Sequence, residues 1–168
     1  MQYKITMDFS SYYSNQNPRN DYYDKRSNLP REEYFKKLGE SNTIYVGEIP
    51  LNCSDVFLVE FFSLVAPIKR IKVGVNKRNF NFCGFCFVEY FNRTDAQKAV
   101  DLLNDHVIGE KRIKIDFDLG FYDGREYGRG RRGGQAEEEK RNDQNRPDSF
   151  KNEFRNKFEN GFKRPKYT

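Results

Sequence analysis

Aromatic side chains at alternate positions of one apolar run are the clearest chemical feature of this 168-residue sequence. In the run Phe82–Tyr90, strand alternation places Phe85 and Phe87 on one face and small or apolar side chains on the other. Two rings at this spacing on an exposed face can each stack on a nucleic-acid base. The alternative is a strand buried on both faces, in which Phe85 and Phe87 belong to a core.

The elements before this run are predicted from periodicity and capping signals. Residues 43–48 predict a first strand, in which Tyr45 faces away from Ile44 and Val46 and supplies a third ring. Ser54 is predicted to cap a helix that ends before Pro67. The apolar face of this helix is predicted to comprise Val56, Phe57, Val59, Phe61, Phe62 and Val65.

The elements on either side complete a βαββαβ order. Ile68–Val75 predicts a second strand, followed by a turn at 76–79. Residues 94–97 predict a capping box that begins a second helix. The inward side chains of this helix are predicted to be Ala96, Ala99, Val100 and Leu103. Residues 112–118 alternate apolar and charged side chains and predict the closing strand. We therefore predict an α+β, ferredoxin-like domain over residues 41–119. Its four-stranded antiparallel sheet carries two helices on one face and leaves the other face to solvent.

Composition limits the class of protein. The chain is 36% hydrophobic and 33% charged, with a mean hydropathy of −0.96, which predicts one domain with unpacked ends. The net charge of +5 favours a polyanionic partner only weakly. No apolar run is long enough to span a bilayer, so no membrane association is expected. Cys83 and Cys86 have the spacing of half a zinc site but no second pair, so no metal or cofactor is expected.

The ends of the chain are predicted to be flexible arms. Residues 1–40 are polar with paired tyrosines, and we expect an irregular arm that contributes to a ligand site and contains a short helix at 30–38, ended by Gly39. Residues 120–136 interleave glycine with arginine, which suits phosphate binding. Residues 137–168 are expected to be a disordered tail. Phenylalanines at every fourth position from 150 to 162 allow a short helix there as the alternative.

The run Phe82–Tyr90 fits the octamer of RNA-recognition motifs at six of eight positions, and residues 44–49 resemble the shorter hexamer. A second group of residues narrows the resemblance from this general motif to one family. It comprises residues 116–121, the Gly/Arg segment 124–131, and Gly133 to Gln135. Together these residues closely resemble the nuclear cap-binding protein subunit 2 family, the small subunits of nuclear cap-binding complexes. The resemblance covers about residues 41–136 and weakens around Tyr22.

The resemblance implies binding of the 7-methylguanosine cap of RNA polymerase II transcripts, in a heterodimer with a large helical-repeat subunit, in the nucleus with shuttling to the cytoplasm. It implies roles in splicing, RNA export and related processing. Tyr22 and Tyr45 would sandwich the methylated base, and Phe85 and Phe87 would line the sheet face. The remaining implied cap-binding residues are Lys114, Ile115, Asp116, Phe117, Asp118, Arg125, Glu126, Tyr127, Gly128, Arg129, Gln135 and Ala136.

The chemistry of these side chains suits such a ligand. N7-methylguanine is a delocalised cation, which two aromatic faces hold by stacking and cation–π attraction. Asp116 and Asp118 can accept the guanine N1–H and N2–H, and Arg125 and Arg129 can meet the triphosphate bidentately. The alternatives are solubilising strand-end carboxylates and a generic arginine–glycine tail.

Three positions depart from the family pattern. Lys114 replaces an arginine, Phe117 replaces a tryptophan, and Lys140 lies where a stacking tyrosine is expected. We expect cap specificity to survive and affinity for the second nucleotide to change. Two other functions stay open: a domain that reads internal single-stranded RNA through Tyr45, Phe85 and Phe87, and a protein-interaction module. The sequence shows no pair of side chains that could act as a nucleophile and its general base, so it does not predict an enzyme.

Overall fold

The computed structural model describes residues 23–145 of the chain. A 3₁₀ turn at Lys25–Ser27 precedes the first helix. The helices are α1 (Arg31–Glu40), α2 (Asp55–Ser63), α3 (Arg93–Leu103) and α4 (Ala136–Gln144). The strands are β1 (Thr43–Gly47), β2 (Ile68–Val75), β3 (Phe82–Tyr90), β4 (Val107–Ile108), β5 (Lys111–Arg112) and β6 (Lys114–Asp118).

Four strands form the main sheet in the order β2-β3-β1-β6, and each neighbouring pair is antiparallel. The register pairs Tyr45 with Phe87 on one side and with Asp116 on the other. The predicted α+β fold is therefore confirmed, and Tyr45 lies in a central strand of the sheet. The small hairpin of β4 and β5 lies outside this sheet and was not predicted from the sequence.

Helices α2 and α3 cover one face of the sheet and enclose the core. Leu58, Phe61 and Phe62 of α2 meet Ala96, Ala99 and Leu103 of α3 and the inward side chains of β1, β3 and β6. Burying these side chains is the main favourable contribution to folding. Inside this layer the Tyr90 hydroxyl donates a 3.1 Å hydrogen bond to the carbonyl of Phe62.

The structure corrects the predicted details of both core helices. Ser54 caps α2 as expected and accepts from Phe57 N–H, but Val56 is 67% exposed and Leu58 is fully buried. The predicted apolar face was too broad, because a helix against a sheet buries one narrow stripe. Helix α3 is capped by Asn92 rather than by Thr94, since Asn92 accepts from Asp95 N–H at 2.9 Å.

Helix α1 matches the short helix predicted at 30–38, although it continues through Gly39 to Glu40. One side chain of α3 holds its C-terminal end. Arg93 Nη1 donates to the carbonyls of Leu38 and Ser41, each at 2.8 Å. The guanidinium carbon of Arg93 also lies 3.9 Å from the ring centroid of Phe117 in β6. Because Arg93 adds hydrogen bonds to two carbonyls at the helix end, it fixes α1 against the domain.

The cysteine pair is split by strand alternation. Cys86 lies in the core and Cys83 packs on the opposite face of β3, so the two thiols cannot bind one metal ion together. Within residues 23–145, no helix has the length and apolar character that crossing a membrane requires.

Candidate nucleic-acid interface

The face of the sheet opposite α2 and α3 carries a cluster of three aromatic rings. The Tyr45 ring centroid lies 5.7 Å from that of Phe85 and 5.5 Å from that of Phe87. The Phe85 ring also lies over Gly74 of β2, where a Cβ atom would come within 2.3 Å of it. The fold therefore brings the three predicted rings, those of Tyr45, Phe85 and Phe87, into contact on neighbouring strands.

This ring face is covered, contrary to the prediction that it is left to solvent. Phe85 and Phe87 are each only 4% exposed. The Phe121 ring packs 5.6 Å from Phe87, and the guanidinium carbon of Arg125 lies 4.6 Å from the Phe87 centroid. An uncovered row of rings would leave apolar surface in water, and the segment after β6 removes it. Both phenylalanines thus form a small second core. This position is nearer to the alternative of a strand buried on both faces than to the predicted open face.

Arg125 is held by two residues of its own neighbourhood. Its Nη2 lies 2.7 Å from Asp118 Oδ2 and its Nη1 donates to the Gly120 carbonyl at 2.6 Å. Both side chains of this ion pair are largely buried, 12% and 15% exposed. Burial disfavours the guanidinium charge, yet the Asp118 carboxylate outweighs burial and raises the pKa of Arg125 above its usual value. Arg125 therefore stays charged and fixed over Phe87.

The Tyr45 hydroxyl is oriented by the segment that leads into α4. Gln135 Nε2 donates to it at 2.7 Å. Burial raises the pKa of Tyr45 well above its usual value, while this hydrogen bond opposes the shift, so the phenol stays neutral. Ala136 is the first residue of α4. Helix α4 is tied to the domain by ion pairs of Arg141 with Glu48 and of Lys111 with Glu138.

Strand β6 divides the predicted residues between the two faces of the sheet. Asp116 is the cross-strand partner of Tyr45, and Asp118 follows it on the same face. Lys114 also shares this face and forms an ion pair with Asp105. Ile115 is 2% exposed in the main core, and Phe117 packs against that core under Arg93. The side chains of Ile115 and Phe117 therefore point away from Tyr45, so only their main-chain groups could contribute to a site at that ring, and their part in cap binding stays a prediction.

Residues 126–128 attach the Gly/Arg segment to the edge strand β2. The Glu126 carbonyl accepts from Val75 N–H at 2.7 Å, and Gly128 N–H donates to the Val75 carbonyl at 3.0 Å. Tyr127 lies between them in a parallel bridge with Val75. The Glu126 carboxylate accepts from Gly124 N–H at 2.6 Å. These residues hold the segment in place chiefly through main-chain pairing.

The N-terminal arm reaches this segment through Asp24. Arg129 Nη1 lies 3.1 Å from Asp24 Oδ2. Burial acts to raise the pKa of Asp24, but hydrogen bonds from Arg26 N–H and Arg129 lower it overall. The neighbouring Tyr23 ring makes an edge contact with Tyr34 of α1, 5.1 Å between centroids. The predicted Tyr22 lies outside the described residues.

Sequence reasoning missed two residues of this region. Phe121 was noted only as part of a motif, although an aromatic residue in a Gly-rich segment is a signal for packing on exposed rings. Asp24 carries no local signal, because its partner Arg129 is 105 residues away. The short helix at 150–162, the alternative to a disordered tail, lies outside the described residues. The prediction that the tail is disordered from residue 137 is wrong for its first part, because helix α4 occupies Ala136–Gln144.

Comparison with known proteins identifies the domain. The family model described as RNA recognition motif matches residues 44–114. Nuclear cap-binding protein subunit 2 of Esox lucius is 38% identical over 143 residues, which cover 85% of this chain and 90% of that protein. The protein of the same name in Homo sapiens is 41% identical over 122 residues, 73% of this chain and 78% of that protein.

A longer relative shows the same similarity. Nuclear cap-binding protein subunit 2 of Dictyostelium discoideum is 40% identical over 126 residues, 75% of this chain but 54% of that protein. The matching region thus spans about half of this relative and most of the two vertebrate ones. With the fold and the ring face described above, these similarities assign the family. The chain belongs to the nuclear cap-binding protein subunit 2 family.

Proposed function

We propose that the protein binds the 7-methylguanosine cap at the 5′ end of RNA polymerase II transcripts. It acts as the small subunit of a heterodimer with a large helical-repeat subunit, in the nucleus and during shuttling to the cytoplasm. In this role it is a binding protein rather than an enzyme, and it supports splicing, RNA export and related processing. The names of its relatives and the arrangement around Tyr45 support this proposal.

The observation that carries the proposal is the environment of the Tyr45 ring. Gln135 fixes its hydroxyl at 2.7 Å, and the Asp116 carboxylate extends from the paired position on β6. A ring held in one orientation beside a carboxylate suits a flat, positively charged purine, which prefers an aromatic face and offers N–H donors at its edge.

Tyr22 supplies the second ring of the sandwich. Its neighbour Tyr23 is already engaged, because its ring packs on Tyr34 and its hydroxyl donates to the Leu29 carbonyl. Asp24 ties the same stretch of chain to Arg129. This contact supports delivery of the arm to the side of the sheet where Tyr45 lies, and it favours Tyr22 over Tyr23 as the stacking residue.

Asp118 and Arg125 act as a pair in this proposal. A carboxylate has four lone-pair positions, so Asp118 can hold Arg125 and still accept from a guanine edge. The Arg125 guanidinium has five N–H donors and uses three in the contacts to Asp118 and Gly120, which leaves two for a phosphate. Arg129 and Lys114 add positive charge for the triphosphate.

Reading of internal RNA on an open sheet has less support. Phe85 and Phe87 are each 4% exposed beneath Phe121 and Arg125, so bases cannot reach them unless this cover moves. A sequence-reading domain needs those rings exposed. Tyr45, by contrast, is only partly buried at the margin of this cluster.

The arm and the Gly/Arg segment 120–136 are proposed to gain further order when cap and large subunit bind. Both segments are polar, and Phe121 and Arg125 hold the Gly/Arg segment on the ring face, so cap and partner contacts would add to the order that it has there. Hydrogen exchange measures this directly on the free chain. Protection of the two segments that is no higher after cap and partner are added would refute coupled ordering.

Competition with cap analogues tests the function. Methylated cap dinucleotide should displace labelled capped RNA from the full chain, and the unmethylated analogue should compete much less well. Tyr45→Leu removes one cation–π face, worth about 0.5–2 kcal/mol, and should weaken methylated-cap binding about 2- to 30-fold. The matched control is Phe91→Leu, which changes a ring that is 64% exposed elsewhere. Equal competition by both analogues would overturn the proposal.

A further inference from the structure

The turn between β2 and β3 holds an aromatic side chain in an unfavourable backbone conformation. Phe80 has φ 58°, in the left-handed region that non-glycine residues rarely occupy. Its side chain is 66% exposed, and its ring makes one aromatic contact, an edge contact at 6.4 Å with Tyr127. Packing therefore does not explain why a bulky ring occupies this strained position.

Hydrogen bonds join the turn that carries this ring to residues 131–133 of the Gly/Arg segment. Arg78 Nη2 donates to the Arg131 carbonyl at 3.0 Å, and Lys77 N–H donates to the Gly133 carbonyl at 2.9 Å. Gly133 permits this approach, because it has φ 89° and a Cβ atom there would lie 2.8 Å from Asn76 Oδ1. We call Lys77, Arg78, Phe80 and Arg131 the turn patch.

The charges of the turn patch are available to a ligand. Within residues 23–145, Lys77, Arg78 and Arg131 form no ion pair, whereas the adjacent Arg132 is paired with Asp143 at 2.6 Å. All three of these side chains belong to exposed residues. Three unpaired cations and an exposed ring, on one turn and the segment bonded to it, favour a polyanion with flat bases over a protein surface, because single-stranded RNA supplies both phosphates and stacking faces.

The turn patch lies beside the proposed cap site along the chain. Gln135, which donates to the Tyr45 hydroxyl, is four residues after Arg131. Four residues span at most about 14 Å. Arg131 and the turn bonded to it therefore lie within reach of an RNA strand that extends from a base held at Tyr45 toward this side of the domain.

We propose that the turn patch binds the RNA strand that follows the cap, with a base stacked on Phe80 and phosphates on Lys77, Arg78 and Arg131. This inference rests on the proposed cap function and adds to it a second contact region on the RNA. It makes affinity depend on the length of the capped RNA as well as on the cap.

Phe80→Asn is the sharpest test, because asparagine tolerates the left-handed conformation that phenylalanine resists. Affinities of the full chain are measured for a methylated cap mononucleotide and for capped oligonucleotides of two to eight nucleotides. The wild-type chain should bind longer RNA more tightly. Phe80→Asn should weaken oligonucleotide binding about 5- to 100-fold, the range for loss of one base-stacking contact. Mononucleotide affinity should stay within about twofold, and the melting temperature should be unchanged or higher.

A charge variant tests the phosphate contacts separately. Lys77→Gln with Arg131→Gln should reduce the slope of log affinity against log salt concentration by about 1.4, the value for two contacts to a single strand. The matched controls are Phe91→Asn, which removes another ring that is 64% exposed, and Lys36→Gln on α1. Both should leave oligonucleotide affinity within about twofold.

The two proposals fail in distinguishable ways. Unchanged oligonucleotide affinity in Phe80→Asn overturns the RNA role of the turn patch, even if methyl discrimination is intact. Loss of binding to a protein partner with RNA binding unchanged overturns it in favour of a protein contact. Absence of methyl discrimination in the wild-type chain overturns the cap proposal, whereas a Phe80-dependent affinity for uncapped oligonucleotide would still support RNA contact at the patch.

Discussion

Replacing Arg125 by alanine should destabilise the protein even without any ligand. The mutation leaves the Asp118 carboxylate, 15% exposed, without its guanidinium partner. Removing one partner of a fully buried pair costs about 3–5 kcal/mol, but Asp118 keeps its hydrogen bond from Gly120 N–H at 2.9 Å, so about 2–3 kcal/mol is expected here. Loss of the contact with the Phe87 ring adds about 0.5–1 kcal/mol. The expected total is about 3 kcal/mol.

Urea unfolding followed by circular dichroism measures this loss. The midpoint should fall with little change in slope, and the melting temperature should drop by about 10 °C. The control is Arg26→Ala, a change at an exposed arginine of the 3₁₀ turn that should stay within about 0.5 kcal/mol. The double variant with Asp118→Asn should lose less than the sum of the two single changes. A loss below 1 kcal/mol, or full additivity, would show that the pair is not an energetic unit.

Three further substitutions and one labelling experiment follow from the geometry. Gly133→Ala should destabilise the protein by about 1–2 kcal/mol and raise hydrogen exchange over 120–136, because the new Cβ would lie 2.8 Å from Asn76 Oδ1 on a residue with a left-handed φ. Gly39→Ala in α1, where the new Cβ has open space, should instead stabilise the protein by about 0.5–1 kcal/mol. Tyr90→Phe should cost about 1 kcal/mol in urea unfolding through loss of the buried hydrogen bond to Phe62, and an unchanged midpoint would contradict that. Burial raises the pKa of Cys83 to about 11. Alkylation of Cys83 in the native chain should therefore be slow at pH 8 and should accelerate as the pH approaches 11. Rapid labelling at pH 8 would contradict the buried position.

The sheet and its facing pattern could be predicted because they depend on local alternation. Phe85 and Phe87 lie on the face expected from the sequence of β3, and Tyr45 lies beside them as its own strand pattern indicated. Side-chain period and strand register are properties of short segments, and the sequence contains them directly.

The cover over the ring face could not be predicted, because it depends on contacts between distant segments. Composition describes residues 120–136 only as glycine and arginine, yet Phe121 and Arg125 seal the rings and Gln135 reaches back to Tyr45 across 90 residues. Such contacts are set by which surface remains uncovered after the sheet forms.

The division of β6 was predictable in principle. Alternation alone assigns Ile115 and Phe117 to the core side and Asp116 to the side of Tyr45. The family resemblance assigned all of residues 114–118 to the site and did not separate the two faces of the strand. The strand period distinguishes side chains that can touch a ligand from those that can contribute only main-chain groups.

The attachment of α1 by Arg93 has a consequence for biosynthesis. A helix of ten residues is marginal alone in water, and the guanidinium that satisfies its last carbonyls arrives 55 residues later in synthesis than Leu38. The ring beneath that guanidinium, Phe117, is later still. Helix α1 thus leaves the ribosome before the segments that provide its native contacts.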